Sequence, residues 1–329
     1  MTDIIYEGDC INVPKGASVL DALLDHGHMI PNNCRAGVCQ SCLMQVEEGE
    51  APEPAQIGLK DTLKAQGYFL ACCCKQDMPV KIRLPAAATV RIAATVIDSD
   101  QLATDVLRLR LRPESDFDYY AGQYVTIWNS QQVGRTYSLA SVAGLDDFLE
   151  FHIARITNGR FSNWLFDGLK HGDSLQLQPA AGNCFYVPDN PRQKMVLAGT
   201  GTGLAPLVGV ARDALYQGHK GEIHMIHGTG RANGLYLHEE LQLMAKAHDN
   251  FYYHASVLDD EPLPGNASNE SIESLLTSVV PDPGDWKVYL CGAPELVNSL
   301  KKKMFLSGAS MSNIYSDPFL SAADGSTAA

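Results

Sequence analysis

The distribution of apolar and polar residues divides the chain into three successive patterns. In the first, residues 1–87, a loose alternation over 4–13 followed by the turn signal at Pro14 predicts a first hairpin. Ser18 stands where an N-cap is expected, directly ahead of a short apolar helix. A run of small residues after Pro85 predicts the end of this domain.

The second pattern, residues 88–189, consists of short stretches with strand character separated by turn residues, and only 161–169 has helical spacing. Such a series is typical of a small antiparallel β-barrel. The predicted strands cover 90–97, 106–111, 123–127, 137–140, 149–154 and 174–177.

The third pattern, residues 190–329, alternates apolar strands with amphipathic helices. This alternation predicts a doubly wound parallel sheet with helices on both faces. The predicted strands cover 194–198, 222–227, 251–257 and 288–291, and the helices cover 205–216, 239–247, 272–276 and 295–305. The chain is therefore expected to be multi-domain, with α+β and α/β parts.

Charge, apolar content and cysteine usage restrict which partners the protein can bind and where in the cell it acts. The formal net charge is −13, which argues against nucleic acid as a partner. The most apolar run, 195–211, is broken by four glycines and Pro206, so it is too short and too interrupted to span a bilayer. The N-terminus has no signal-peptide pattern, and nine cysteines without an export signal indicate cytosolic chemistry. We expect a cytoplasmic monomer that binds neither nucleic acid nor a membrane.

Four cysteines have the spacing of an iron–sulfur site. Four residues separate Cys34 from Cys39, two separate Cys39 from Cys42, and Cys72 follows after twenty-nine more. Three thiolates from one loop and a fourth from a distant segment are typical of a plant-type [2Fe–2S] cluster. Structural zinc sites usually take their cysteines as two close pairs, and disulfides need an oxidising compartment.

The fourth ligand has one local alternative. Cys72, Cys73 and Cys74 are consecutive, and neighbouring side chains of an extended segment point in opposite directions. Cys73 is thus expected to face away from Cys72, whereas Cys74 could compete with it. The spacing favours Cys72. Gly37 lies within the loop, where a chain that wraps closely around the cluster needs a residue tolerant of positive φ.

With this cysteine run, residues 1–85 resemble a plant-type ferredoxin domain, and the segment from Tyr68 to Cys72 is similar to the family's approach to its last ligand. The resemblance implies a β-grasp fold.

Two motifs in the second pattern have the chemistry of a flavin site. Arg135, Tyr137 and Ser138 offer a cation, an aromatic ring and a hydroxyl on one strand. About twenty residues later, Gly159 to Ser162 open the only predicted helix of this region, where free backbone N–H groups favour phosphate. Together they resemble the flavin domain of the ferredoxin-NADP⁺ reductase superfamily.

That resemblance implies FAD as cofactor. It places Arg135 on the pyrophosphate, Tyr137 beside the isoalloxazine and Ser138 near its N5. The further FAD contacts that it implies are His152, Ile153 and Ala154 on a neighbouring strand, and Gly159, Phe161 and Ser162 at the helix start. The segment 179–185 departs from the family's usual turn, because Ala180 and Ala181 replace its expected residues.

The third pattern contains a glycine turn placed directly between an apolar strand and a helix: Gly199, Thr200, Gly201, Thr202 and Gly203. In that position, backbone N–H groups cradle a pyrophosphate. The turn matches the superfamily's nicotinamide-nucleotide turn.

Two later segments complete the resemblance. Cys291 and Gly292 end a strand on the same side of the sheet, and in the family this pair lies beside the nicotinamide. Near the C-terminus, Asp317 and Phe319 match an acid and an aromatic residue that return to the flavin, with Asp where Glu is frequent; the alternative is a disordered tail. The resemblance thus assigns catalytic positions to Ser138, Cys291 and Asp317.

A ferredoxin, a flavin and a nicotinamide module in this order resemble the single-chain reductases of bacterial oxygenase systems, especially those of aromatic-ring-hydroxylating dioxygenases. This implies electron transfer from NADH to FAD, to the [2Fe–2S] cluster, and to a terminal oxygenase or an intermediate ferredoxin. The alternatives are the reductase of a di-iron monooxygenase or of a sugar-dehydrating enzyme. A protein of another class, an iron–sulfur redox sensor or docking module, also stays open.

The nucleotide is expected to be NADH rather than NADPH. A 2′-phosphate needs cations placed just after the second strand of the nucleotide domain. Between His227 and Leu241 the chain has one lysine or arginine, Arg231.

Overall fold

The computed structural model describes residues 2–28, 30, 32, 35, 37, 40, 42–75, 78–85, 91–131, 133–259, 263–265 and 267–319. The chain divides into two compact units, Met1–Ala88 and Thr89–Ala329. Among the residues described, no helix is long and apolar enough to cross a membrane.

The first unit is a mixed five-stranded sheet with a helix packed on it. Its strands are β1 (Thr2–Tyr6), β2 (Asp9–Val13), β3 (Leu43–Glu48), β4 (Tyr68–Leu70) and β5 (Lys81–Arg83), and its helices are α1 (Val19–Asp25) and α2 (Asp61–Ala65). The strand order is β2-β1-β5-β3-β4, with β1 and β5 parallel. This arrangement confirms the predicted β-grasp fold.

Local chemistry explains the start of this unit. The hairpin turns at Glu7 and Gly8, which both have positive φ, and not at Pro14 as the turn signal suggested. Ser18 caps α1 as predicted: its Oγ accepts from the Asp21 N–H at 3.1 Å, and the Asp21 carboxylate accepts from the Ser18 N–H in return. The cap directs the apolar face of α1, Leu20 included, into the core.

The second unit begins with an antiparallel barrel. Its elements are β6 (Ile92–Ala103), β7 (Val106–Pro113), β8 (Tyr124–Trp128), β9 (Gly134–Ser138), β10 (Leu149–Ala154), α3 (Arg160–Asp167) and β11 (Ser174–Leu177). The strand order is β10-β7-β6-β11-β8-β9. A bridge between Leu139 and Phe151 joins the two end strands, so the sheet closes on itself.

The bounds of two barrel strands differ from those predicted: β6 continues to Ala103 instead of ending at Ile97, and β9 is displaced along the chain. The sequence pattern favoured 137–140, but β9 is Gly134–Ser138. The reason lies at Gly134, where a Cβ would approach the Trp128 ring to 2.6 Å, so that only glycine lets β8 and β9 pair this early.

The remaining part of this unit is a parallel sheet covered by helices on both faces. Its elements are β12 (Met195–Thr200), α4 (Leu204–Tyr216), β13 (Ile223–Thr229), α5 (His238–Ala247), β14 (Phe251–Val257), α6 (Ile272–Val279), β15 (Lys287–Gly292), α7 (Pro294–Leu306) and β16 (Ile314–Pro318). The order β14-β13-β12-β15-β16 confirms the doubly wound fold.

Two features of this sheet position the site. The strand order reverses at β12, so the carboxyl ends of β12 and β15 border the crevice where open α/β sheets bind ligands. The segment Ile314–Pro318, for which a disordered tail was the alternative, is an edge strand that pairs with β15.

Candidate functional site

The three residues predicted to act in catalysis lie together. The Ser138 Oγ, at the end of β9, donates to the Asp317 Oδ2 on β16 at 3.2 Å. Asp317 is in turn the register partner of Cys291 on β15. Residues 179 positions apart in sequence are thus joined where the barrel meets the parallel sheet.

The environment of Asp317 favours its neutral form. Burial raises the pKa of this carboxyl to about 6, and the hydrogen bond from Ser138 offsets only part of that effect. Tyr124 lies close by: it is the register partner of Ser138, and burial together with the charge of Asp317 raises its phenol pKa. Sequence analysis missed Tyr124, because it lies within a predicted strand and outside any motif.

Cys291 belongs to a buried pair of thiols. Its Sγ lies 3.5 Å from the Cys184 Sγ, and burial followed by the contact with Cys184 raises its pKa well above the ordinary value. A thiol held neutral in this way is a poor nucleophile. Cys291 therefore contributes a soft apolar surface beside the glycine turn, and Cys184, which sequence analysis also missed, supports it.

Arg135 and Tyr137 lie two residues apart on β9 and share one face of it. Arg135 is exposed, and its Nη1 donates to the Gly134 carbonyl at 2.7 Å. Within the described ranges no carboxylate forms an ion pair with it, so its charge is available to a ligand. The Tyr137 ring lies nearly parallel to that of Phe161, with 6.1 Å between centroids, and this packing fixes it as a flat platform.

The start of α3 is tied down by its own side chains. Gly159 is the N-cap, and the Ser162 Oγ accepts from the Ile156 N–H at 3.1 Å. A Cβ at Gly159 would approach that oxygen to 2.6 Å. The Ser162 hydroxyl thus orders the loop, and the free N–H groups at the start of α3 are the groups presented to an anion.

The predicted FAD contacts on β10 divide into two kinds. The side chains of His152 and Ile153 are buried and have partners inside the protein: Ile153 belongs to the barrel core, and His152 bonds to Glu150 and Tyr236. Only Ala154 is half-buried. Contacts from this strand to FAD would come from its backbone and from Ala154.

The glycine turn and the Cys291–Gly292 segment pack backbone against backbone. A Cβ at Gly203 would lie 2.4 Å from the Cys291 carbonyl oxygen, and one at Gly199 would lie 2.6 Å from it. Gly292, at φ +123°, would place a Cβ 2.8 Å from the Thr200 carbonyl oxygen. The sequence Gly199–Gly203 therefore forms a shallow cradle lined by main chain, which fits a pyrophosphate group.

Half of the predicted cluster site lies within the described residues. The Cys42 Sγ is 3.3 Å from the Cys72 Sγ, close enough for two thiolates to share one tetrahedral metal with metal–sulfur bonds of about 2.3 Å. Burial is the main cause that raises the pKa of Cys42, to about 11, so the Cys42 thiol needs a metal to become a thiolate. Cys34 and Cys39 lie outside the described residues.

Cys73 does not face away from Cys72 as predicted, because residues 71–73 form a turn instead of an extended segment. The Cys73 Sγ lies 3.7 Å from the Cys72 Sγ and faces Gly37, whose φ is +77°, so closely that a Cβ there would approach it to 2.9 Å. Cys74 is fully buried in the core of the first unit. The contact with Cys42 is thus made by Cys72.

Three family models match the chain in order. They describe a 2Fe-2S iron-sulfur cluster binding domain over residues 5–76, an oxidoreductase FAD-binding domain over 93–186 and an oxidoreductase NAD-binding domain over 197–302.

Relatives match this chain over most of its length. The chain is 34% identical to the aromatic O-demethylase reductase subunit of Amycolatopsis sp., over 89% of this chain and 90% of the relative. It is 30% identical to the terephthalate 1,2-dioxygenase reductase component 1 of Comamonas sp., over 94% of both chains. The crystal structure of the Amycolatopsis cytochrome P450 reductase GcoB has a TM-score of 0.67 and 31% identity, and covers 97% of this chain and 99% of its own.

We predict that Cys72 and neither of its neighbours is the fourth cluster ligand. Cys72→Ser should lose the cluster, because a serine oxygen replaces a thiolate that lies against Cys42. Cys73→Ser and Cys74→Ser serve as matched controls and should keep it. Iron and acid-labile sulfide per chain measure the outcome, and full content in the Cys72 variant would contradict the assignment.

A second prediction concerns the buried carboxyl. Because the pKa of Asp317 is raised from 3.8 to about 6, the folded protein binds this proton more tightly than the unfolded chain. Relative to Asp317→Asn, the wild type is therefore most stable below about pH 4 and loses about 3 kcal/mol at most as the pH rises to about 6. The difference between the two thermal unfolding midpoints, measured from pH 4 to 7, should change in that direction. A constant difference would rule out the raised pKa.

Proposed function

Because this chain belongs to the family of oxygenase reductase components that join 2Fe-2S, FAD-binding and NAD-binding domains, we propose that it transfers electrons from NADH through FAD and a [2Fe–2S] cluster to a terminal oxygenase. The observation that carries the proposal is the meeting of Ser138, Asp317 and Cys291 beside the glycine turn. That meeting places a flavin-type motif and a nucleotide-type motif at one crevice of the second unit.

Bound FAD supplies chemistry that no side chain has, because it accepts two electrons as hydride and releases them singly. The chain's own residues hold and orient the FAD. Arg135 places a fixed charge at the edge of β9 for the pyrophosphate, and Tyr137 offers a flat face supported by Phe161. Ser138 presents a hydroxyl that donates a hydrogen bond to Asp317, so this pair can hold or return a proton beside the flavin ring.

The nucleotide side is organised by main chain. The cradle Gly199–Gly203 binds the pyrophosphate of the dinucleotide through its backbone N–H groups, since its glycines let the turn pack directly against the Cys291 main chain and lead into α4. Cys291 lies under the same turn and would support a nicotinamide ring bound there. Asp317 and Phe319 lie on the opposite side, where the Phe319 N–H donates to the Gly292 carbonyl at 2.8 Å and holds the residue after β16 against the end of β15.

The partner that we propose is a Rieske-type aromatic-ring-hydroxylating dioxygenase, reached directly or through an intermediate ferredoxin. The relationship to a terephthalate dioxygenase reductase component supports it. A cytochrome P450 is the second candidate, because the 34%-identical relative is the reductase subunit of an aromatic O-demethylase and the compared structure is a cytochrome P450 reductase. The protein acts in the cytoplasm as a monomer in this proposal. A redox sensor would need neither the intact cradle nor Arg135.

The proposed order of carriers predicts that two artificial electron acceptors are reduced at different points of the path. Ferricyanide takes electrons from a reduced flavin, whereas cytochrome c, a one-electron protein acceptor, is expected to take them from the cluster. Cys72→Ser should keep NADH-driven ferricyanide reduction and lose cytochrome c reduction.

The matched control for this experiment is Cys10→Ser, which changes an exposed cysteine of β2 in the same unit and should keep both activities. Steady-state rates with each acceptor measure the split. Cytochrome c reduction that persists without a cluster would contradict the order of carriers, and wild-type protein that reduces neither acceptor would contradict the function itself.

We also predict a preference for NADH over NADPH. Arg231, just past the end of β13, is exposed, and its backbone N–H donates to the Thr229 Oγ1 at 3.4 Å. In the described parts of the chain its side chain has no acidic partner, yet one cation matches a 2′-phosphate only in part. Arg231→Ala should lower kcat/KM for NADPH by about tenfold or more and leave NADH little changed.

The control variant is Arg192→Ala, which removes an exposed arginine before β12, at the other end of the strands. Steady-state kcat/KM for both nucleotides in the three proteins decides the matter. A wild-type preference for NADPH that disappears in Arg231→Ala would show the prediction to be wrong.

A further inference from the structure

A ladder of charged side chains crosses three neighbouring strands of the barrel. Arg110 on β7 bonds to Asp98 on β6 at 3.2 Å and to Glu150 on β10 at 2.7 Å. In the next row, Arg108 on β7 bonds to Asp100 on β6 at 2.8 Å, and its register partner on β10 is His152. The second row thus ends at an imidazole instead of a carboxylate.

His152 connects this ladder to the glycine turn. Its Nε2 lies 3.2 Å from the Glu150 Oε1, and its Nδ1 lies 3.3 Å from the Tyr236 hydroxyl oxygen. The Tyr236 hydroxyl lies 3.3 Å from the carbonyl oxygen of Gly201, in the middle of the cradle. Both His152 and Tyr236 are buried, at 3% exposure each. We call these four residues the Glu150–Gly201 chain.

The number of hydrogens decides whether all three bonds of the chain can form at once. Both ends are acceptors only: a carboxylate at Glu150 and a backbone carbonyl at Gly201. Three bonds therefore need three hydrogens between them. Neutral His152 and Tyr236 together have two, one on the imidazole and one on the hydroxyl. An imidazolium and Tyr236 have three.

Neutral His152 leaves one contact unfulfilled in either tautomer. With the proton on Nε2, the bare Nδ1 competes with Gly201 for the single Tyr236 hydrogen. With the proton on Nδ1, the Nε2 lone pair faces the Glu150 carboxylate at 3.2 Å, which is repulsive in a buried site. The first arrangement is thus preferred, and it draws the Tyr236 hydrogen away from the cradle.

The Glu150 carboxylate, two arginines and one further histidine lie around His152. Burial acts to raise the pKa of Glu150, but the hydrogen bonds and charges of His152 and Arg110 outweigh it and lower that pKa to about 2. The carboxylate is therefore ionised at any ordinary pH. The cations on β7, Arg108 and Arg110, are each bound to an aspartate of β6. On the nucleotide side His227 faces the same cluster, and burial keeps it neutral by lowering its pKa to about 3.

We propose that His152 is a positioning residue for the nicotinamide nucleotide: as an imidazolium held by Glu150, it directs the Tyr236 hydroxyl onto the Gly201 carbonyl and so fixes the cradle. The proposal rests on the proposed function only in taking Gly199–Gly203 as the nucleotide cradle. Loss of the proton lets the Tyr236 hydroxyl turn to His152, and Gly201 then loses its restraint. Nucleotide affinity should therefore fall when the pH is raised far enough to remove this proton, while the hydride-transfer rate at saturation stays the same.

The test uses the full-length protein with FAD and cluster bound. Anaerobic stopped-flow measurement of flavin reduction gives the Kd for NADH and the limiting rate at each pH from 5.5 to 9. Wild type should show a three- to tenfold rise in Kd across the range, about the value of one hydrogen bond, with little change in the limiting rate.

Two variants change the Glu150–Gly201 chain and are expected to affect the Kd for NADH in opposite ways. Tyr236→Phe removes the hydroxyl and should have the high Kd at every pH. His152→Asn places an amide N–H near the position of Nδ1, which donates to Tyr236 at every pH, and should keep the low Kd throughout. Tyr253→Phe is the matched control, because this neighbouring tyrosine bonds to His227 and His238 and has no bond to Gly201, so the wild-type profile should remain.

Selective ¹⁵N labelling of histidine reports the charge of His152 without any nucleotide. The ring signals absent from His152→Asn identify the residue, and at pH 7 both ring nitrogens should carry hydrogen. A neutral ring at pH 7, a pH step that persists in Tyr236→Phe, or the same loss in Tyr253→Phe would each overturn the proposal. Failure of NADH to reduce the wild-type flavin at any pH would instead overturn the proposed function, and the ¹⁵N result would still decide the state of His152.

Discussion

The constraint on which the rest of the second unit depends is the contact of main chain with main chain at the carboxyl ends of β12 and β15. Gly199 and Gly203 both approach the Cys291 carbonyl so closely that a Cβ at either would lie 2.6 Å or less from its oxygen. This contact fixes the turn as a main-chain cradle. It also fixes β15, on whose free side β16 pairs and delivers Asp317 to the barrel.

Buried polar contacts join the β-barrel and the parallel sheet of the second unit at one site, although each has its own hydrophobic core. On one side, the Ser138 hydroxyl meets a carboxyl whose burial raises its pKa to about 6. On the other, the Glu150–Gly201 chain joins a charged ladder of the barrel to the cradle of the parallel sheet. Buried hydrogen-bonded groups tolerate little displacement, because an unpaired partner is costly in a low-dielectric interior. Both connections therefore restrain the flavin and nucleotide motifs relative to each other.

Sequence alone predicted those parts of this arrangement that are specified by neighbouring residues in the chain. The strands at 149–154 and 174–177 have the predicted bounds, since alternation and turn residues define them within a few positions. Ser138, Cys291 and Asp317 were predicted from motifs. The sequence around each of them does not indicate that the three lie in contact. Tyr124, Cys184, Glu150 and Tyr236 were missed, because each is an ordinary strand or loop residue until a distant segment packs on it. The error at 137–140 has the same origin: the need for glycine at position 134 is set by Trp128 across the hairpin.

Electrons are expected to enter at the nucleotide cradle, pass through the flavin and leave from the cluster. The most direct test is anaerobic mixing with NADH in a stopped-flow spectrometer, monitored at wavelengths that separate flavin from cluster absorbance. The flavin should bleach first, at a rate that depends on NADH concentration, and the cluster should bleach afterwards, at a rate that does not depend on it. Protein depleted of FAD should show no cluster bleaching. Reduction of the cluster in FAD-depleted protein, or cluster bleaching ahead of the flavin, would contradict this order of carriers.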